Sequence, residues 1–207
     1  MNLATEVSRT TNLRLSGLSE QQRMYFEACR ARVVAGGPGD ETDVAYLPIV
    51  PERLISIPEK LYLMSHWSTI EPLGLLWQLA EIERHGGQDR PQRPYHLINL
   101  RLHVLNLSED SLLKEEARKI KDNCCQAALQ PLTVSELLDL ILFVPKILSS
   151  GRFLSLVGYS AGPLPELVSL PGGKVILRLA EKSDGQGQWL VPAGRIIDSP
   201  RTNSGTS

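Results

Sequence analysis

The segment from Tyr95 to Leu107 constrains this chain most. Its odd-even pattern sets Ile98, Leu100, Leu102 and Val104 on one side and Asn99, Arg101 and His103 on the other, the period-two spacing of a half-buried strand. Such a strand belongs near the middle of a sheet, with one face packed and one polar. From Phe153 onward turn-forming residues recur at Gly158 to Gly162, Pro171-Gly172-Gly173 and Asp184 to Gly187. The short runs between them, including Val175 to Leu179 and Trp189 to Val191, read as strands of an antiparallel meander.

Helical signals alternate with these. Thr133-Val-Ser-Glu136 is a capping box placed directly before Leu137, Leu138, Leu140, Ile141, Leu142 and Val144. Ser19 and Gln22 form a second box and predict a helix over 20–34, stopped by Gly36-Gly-Pro-Gly39. A third pattern covers 68–84 and ends at Gly86-Gly87. Residues 111–129 carry a narrow apolar stripe of Leu112, Leu113, Ala117, Ile120 and Cys124, which predicts a surface helix. Between Val44 and Ile57, Pro48, Pro51 and Pro58 break an apolar run and predict only short extended pieces. The expected fold is therefore α+β, with amphipathic helices packed on a mostly antiparallel C-terminal β-sheet. One domain is expected over 19–197 with a seam at 86–94, between a flexible stretch at 1–18 and a disordered tail at 198–207.

The chain of 207 residues is 42% hydrophobic, enough for a core and too apolar for a disordered chain. Lys and Arg number 22 against 23 Asp and Glu, a net charge of −1, which argues against a dedicated nucleic-acid binder. The uncharged apolar run Leu140 to Pro145 is far shorter than the roughly 20 residues that span a bilayer. The start lacks the pattern of a secretory signal, and Cys29, Cys124 and Cys125 have neither disulfide-framework nor zinc spacing. A cytoplasmic protein with reduced thiols, no metal and no cofactor is expected.

Several segments invite a chemical reading. Gly158-Tyr-Ser160-Ala-Gly162 fits the nucleophile elbow, yet no histidine follows His103, and Pro163 and Pro165 stand where the elbow's helix must run. It reads as a Gly-rich turn. Asn99, Arg101 and His103, spaced i, i+2 and i+4, could converge on an anionic ligand, although a solvated sheet face gives the same pattern. His96 and His103 fall on opposite sides of a regular strand and make a poor metal pair. Arg84, Arg90 and Arg93 read as a solvated linker, and adjacent Cys124 and Cys125, about 100° apart on a helix and poorly placed to bridge, as a pair of which one is partly buried.

The run Pro131-Leu-Thr-Val-Ser-Glu136, then Phe143-Val-Pro145 and Leu148, then Phe153 to Gly158, resembles a family of uncharacterised bacterial proteins marked by a P-L-T-x-x-E helix start. Pro163-Leu-Pro-Glu-Leu167 and Tyr95 to Leu100 are similar to two of its strands, so the resemblance spans about residues 45–195. The family's tryptophan-rich ending with Asn-Pro-His is absent here. The resemblance implies a fold and no activity. The leading expectation is a non-catalytic cytosolic protein-interaction or regulatory module, partnered by another protein or by itself. The alternative is a small anionic-ligand binder or enzyme using Asn99, Arg101 and His103.

Overall fold

The computed structural model describes residues 18–35, 44–65, 90–91, 94–105, 113–157, 164–170, 174–180 and 188–198. Among them the strands are β1 (Val34–Ala35), β2 (Val44–Ile49), β3 (Tyr95–Leu105), β4 (Gln130–Pro131), β5 (Arg152–Leu154), β6 (Leu164–Leu170), β7 (Lys174–Ala180) and β8 (Trp189–Asp198). The helices are α1 (Glu20–Arg30), α2 (Ile57–Ser65), α3 (Leu113–Gln126) and α4 (Val134–Phe143), the last followed by a 3-10 turn at Pro145–Ser150. The fold is α+β, and the sheet is mostly antiparallel. The expectations for 1–17, 36–43, 68–84 and 199–207 lie outside the described residues.

The strands form one sheet in the order β1-β2-β3-β8-β5-β6-β7, with β4 also paired to β8. Strand β3 sits inside it, between β2 and β8. The last four strands are not a simple meander: β8 returns to lie between β3 and β5 and runs parallel to β5. Pro48 is accommodated within β2 because β1 pairs only Val44 and Tyr46, so no ladder bond to β1 is lost at Pro48.

Both predicted capping boxes form. Ser19 and Gln22 exchange bonds of 3.0 and 3.3 Å at the start of α1, and Thr133 and Glu136 exchange bonds of 2.7 and 3.1 Å at the start of α4. Helix α2 is an addition to the sequence reading. Pro58 lies in its first turn, where no backbone donor is needed, and Glu59 accepts from Ser56 N at 2.7 Å and from Ser56 Oγ at 3.0 Å.

The sheet has two faces. Against the front face pack α1, α2 and α4, burying Phe26, Leu47, Ile49, Leu63, Met64, Leu97, Leu137, Leu138 and Leu177 in one large core. Helix α4 is buried on every side from Val134 to Leu142, polar residues included. On the back face α3 covers a smaller core of Leu105, Ala117, Ile120, Cys124, Trp189, Val191 and Ala193. As its narrow stripe predicted, α3 leaves its other sides exposed, and Cys124 is buried while Cys125 is exposed.

One irregularity governs the back face. Ile98 opposes Arg195 and Arg101 opposes Ala193, so Asn99 and Leu100 share Gly194 as their partner. This is a β-bulge, and Asn99 takes a φ of 53°, a left-handed conformation that asparagine tolerates better than most residues. Gly194 is suited to the close approach: a Cβ there would lie 3.3 Å from Leu97 Cβ and 3.4 Å from a Leu100 methyl. The bulge corrects the expected alternation. Leu100 packs in the front core, Ile98 lies on the back, and Val104, expected in the packed set, is 44% exposed.

Candidate functional site

Three groups of polar residues stand out, and they differ in whether their bonding capacity is already used. The first is buried between α2, α4 and the end of β2. Lys60 Nζ lies 2.8 Å from Asp139 Oδ1, 2.8 Å from Val50 O, 2.7 Å from Ser135 Oγ and 3.2 Å from Ser135 O. The second oxygen of Asp139 accepts from Val50 N at 2.9 Å. Lys60 and Asp139 are 1% and 0% exposed. Burial drives the Asp139 carboxyl up to about 6 against the pull of Lys60. The Ser135 and Lys60 pair has the composition of a nucleophile and its base, yet the amine donates to the hydroxyl and is held by a carboxylate, out of contact with solvent. It ties α2 to α4.

One turn earlier on α4, Glu136 accepts from Tyr95 Oη at 2.6 Å and from Thr133 N at 2.7 Å, and Arg90 Nε lies 3.1 Å away. Arg90 also donates to Pro131 O at 2.6 Å and to Gln130. Its expected place in a solvated linker is corrected: a buried carboxylate, legible only in three dimensions, draws the guanidinium inward. Tyr95 loses its hydroxyl proton only far above the ordinary range, chiefly through burial and then through Glu136.

The second group crosses the back face. Arg152 lies with its guanidinium 4.1 Å from the Trp189 ring centroid, donates to Glu166, and Glu166 accepts from Arg178 Nε at 2.8 Å. Glu166 is fully buried between two cations, so its charge is matched inside the fold.

The third group is open. Tyr46 opposes Ile98, which opposes Arg195; in the adjacent row, Pro48 opposes His96, which opposes Ile197. The flanking residues Leu47, Tyr95, Leu97 and Ile196 belong to the front core, which places these two rows on the back. The rings of Tyr46 and His96 stack with centroids 4.8 Å apart. Burial, and then the charge of Arg32, lowers the His96 pKa, which favours the neutral ring. Arg101 and Arg195 are exposed, and Ile197 is 39% exposed. None of the described strand residues in these rows or at Arg101 is acidic.

Of the predicted ligand residues, Arg101 and His103 do share the back face, opposite Ala193 and Val191. Asn99 does not stand in line with them; it is the exposed bulge residue. His103 lies at the border of the α3-covered core, its Nε2 buried and without a hydrogen-bond partner among the described residues. Its pKa is lowered by burial first and by Arg101 second. The bulge also puts His96 and His103 on the same face, since they oppose Ile197 and Val191, but about six residues apart along β8, roughly 20 Å. Among the described residues no group of three or more His, Cys, Asp or Glu is placed to hold a metal ion. Ser160 lies outside the described residues; the segment after it, Leu164–Leu170, is a strand where a nucleophile elbow requires a helix.

The sequence reading missed Lys60, Ser135 and Asp139, and it missed Tyr46, Arg195 and Ile197. For the first set a signal existed: Asp139 interrupts an apolar helix and needs a buried partner. For the second the sheet order had to be known. Among the described residues no helix is long and apolar enough to cross a membrane. Comparison of the chain with protein-family models, with curated proteins and with solved structures finds no match.

Proposed function

We propose that the chain is a non-catalytic, cytosolic protein-interaction or regulatory module that docks its partner on the open end of the back face. The observation that carries this reading is the contrast among the three polar groups. Lys60, Asp139, Glu136 and Glu166 are bonded within the fold, whereas Arg101 and Arg195 stand exposed beside Tyr46, Ile98 and Ile197 with no strand carboxylate among them. Cations beside partly exposed apolar side chains suit a protein surface awaiting a partner. Three unbridged cysteines accord with a reducing compartment.

The test compares the protein with Arg101→Glu/Arg195→Glu, each purified gently from the native host and weighed by native mass spectrometry. A polypeptide bound in fixed stoichiometry to the first and missing from the second is the expected result. A specific observation also favours a second reading, a small anionic ligand near Arg101 and His103: the unpartnered, buried Nε2 of His103. Bound mass below about a kilodalton, lost on Arg101→Ala, would establish that reading in place of the first.

A further inference from the structure

We infer that the partner element received by the open end is an acidic segment of another protein that also carries apolar side chains. This rests on the docking reading and specifies its chemistry. Charge favours such a segment first. Arg101 and Arg195 lie on adjacent strands of the same face, Arg195 opposite Ile98 and Arg101 opposite Ala193 beyond the bulge. A patch with two exposed arginines and no acidic residue in the Tyr46-Ile98-Arg195 and Pro48-His96-Ile197 rows attracts carboxylates.

The neighbours of these cations choose among anionic partners. Ile98 and Ile197 offer branched aliphatic surface, which packs against apolar side chains and gives a nucleobase no ring to stack on. Tyr46 and His96 are stacked on each other, so each ring already has one face occupied. Single-stranded nucleic acid is held by free aromatic platforms in a strongly basic groove. Here the chain's net charge is −1 and the patch has two exposed arginines, few for the multiple phosphate contacts that give nucleic-acid binding its affinity. A second copy docked symmetrically through this patch would bring the arginines of both copies into one interface with no carboxylate from the patch to pair them, a like-charge arrangement. An acidic polypeptide with apolar side chains meets both halves of the surface: its carboxylates pair with the arginines and its apolar groups cover Ile98 and Ile197.

The experiment uses the full chain, isotopically labelled, with backbone and arginine Nε resonances followed during titration. The probes are a random copolypeptide of glutamate and tyrosine and a single-stranded oligothymidylate. The expected result is shifts at Tyr46, His96, Ile98, Arg101, Arg195 and Ile197 with the copolypeptide. That binding should weaken as salt rises and fall roughly tenfold in Arg101→Glu/Arg195→Glu. Arg101→Gln/Arg195→Gln should show a smaller loss, with thermal unfolding unchanged in both variants. Shifts at these residues with oligothymidylate but not with the copolypeptide would overturn the acidic-segment inference and leave the docking face standing. Copolypeptide binding of equal strength in the charge-reversed variant would overturn the inference as well. No shift at these residues with either probe would overturn both readings.

Discussion

The two ends of the back face are built from the same central strands and meet different fates. At one end β3 and β8 offer Leu105, Trp189, Val191 and Ala193, and α3 closes over them with Ala117, Ile120 and Cys124. At the other, β2, β3 and β8 offer Tyr46, Ile98 and Ile197 interleaved with Arg101 and Arg195, and these five residues remain partly or fully exposed. Strand geometry is shared, so the difference lies in side-chain chemistry. The apolar cluster of Leu105, Trp189, Val191 and Ala193 rewards a covering helix, whereas a guanidinium in the middle of such a cluster would have to shed its water or find a carboxylate beneath that helix. The lesson is that an exposed stretch of a central strand is informative when the same strand is closed a few residues away.

The front face supplies the reference of complete closure, and breaking it should have the largest effect. Removing one member of the buried pair, by Lys60→Met or Asp139→Asn, leaves the other without its counter-charge and should cost about 3–5 kcal/mol in urea unfolding. Lys60→Met combined with Asp139→Asn should cost less than the sum of the two separate changes, and simple additivity would show that the groups are not coupled. At the front of β5, Gly151 has a φ of 152°, and a Cβ there would lie 2.5 Å from Gln188 O. Gly151→Ala should therefore cost about 2–3 kcal/mol in the same assay; an unchanged midpoint would mean that this corner of the β5 and β8 pairing yields easily.

The pH dependence of folding should sharpen the contrast further. The folded-state pKa of Asp139, about 6, is above its ordinary value of 3.8. The folded protein thus binds this proton more tightly than the unfolded chain does. The stabilisation from that binding is complete below pH 3.8 and is lost as the pH rises through 6. Relative to Asp139→Asn, the protein should gain about 1–2 kcal/mol between pH 7 and pH 5. A difference that stays constant with pH would show that Asp139 does not titrate there. At the other extreme stand the exposed cations: Arg101→Ala and Arg195→Ala should each change stability by no more than about 0.5 kcal/mol. A larger loss on unfolding would mean that the open end is tied into the fold after all.

Much of the architecture was legible in local sequence. Thr133-x-x-Glu136 and Ser19-x-x-Gln22 each started a helix because a capping box satisfies its donors within four residues. Ser56-x-x-Glu59 is the same kind of signal, obscured by Pro51 and Pro58, although Pro58 in a first turn is compatible with the helix that forms. The β-bulge was half legible. Asn99 is a poor strand residue, and Gly194 occupies the matching place on β8, but nothing local shows that the two strands pair.

By itself the sequence determined what depends on near neighbours: the α+β character, the capped starts of α1 and α4, the strand at Tyr95, and the apolar stripe of α3. Only the tertiary structure decided which face each back-facing residue shares, because one inserted residue at Asn99 shifts the alternation of the residues before it relative to those after it. It alone brought Arg90 to Glu136, Lys60 to Asp139 and Arg195 to Ile98, contacts across 46, 79 and 97 positions of chain. Charges so far apart in sequence leave no periodic trace, and their meaning, closed ion pair or open docking surface, comes from the desolvation that packing imposes on them.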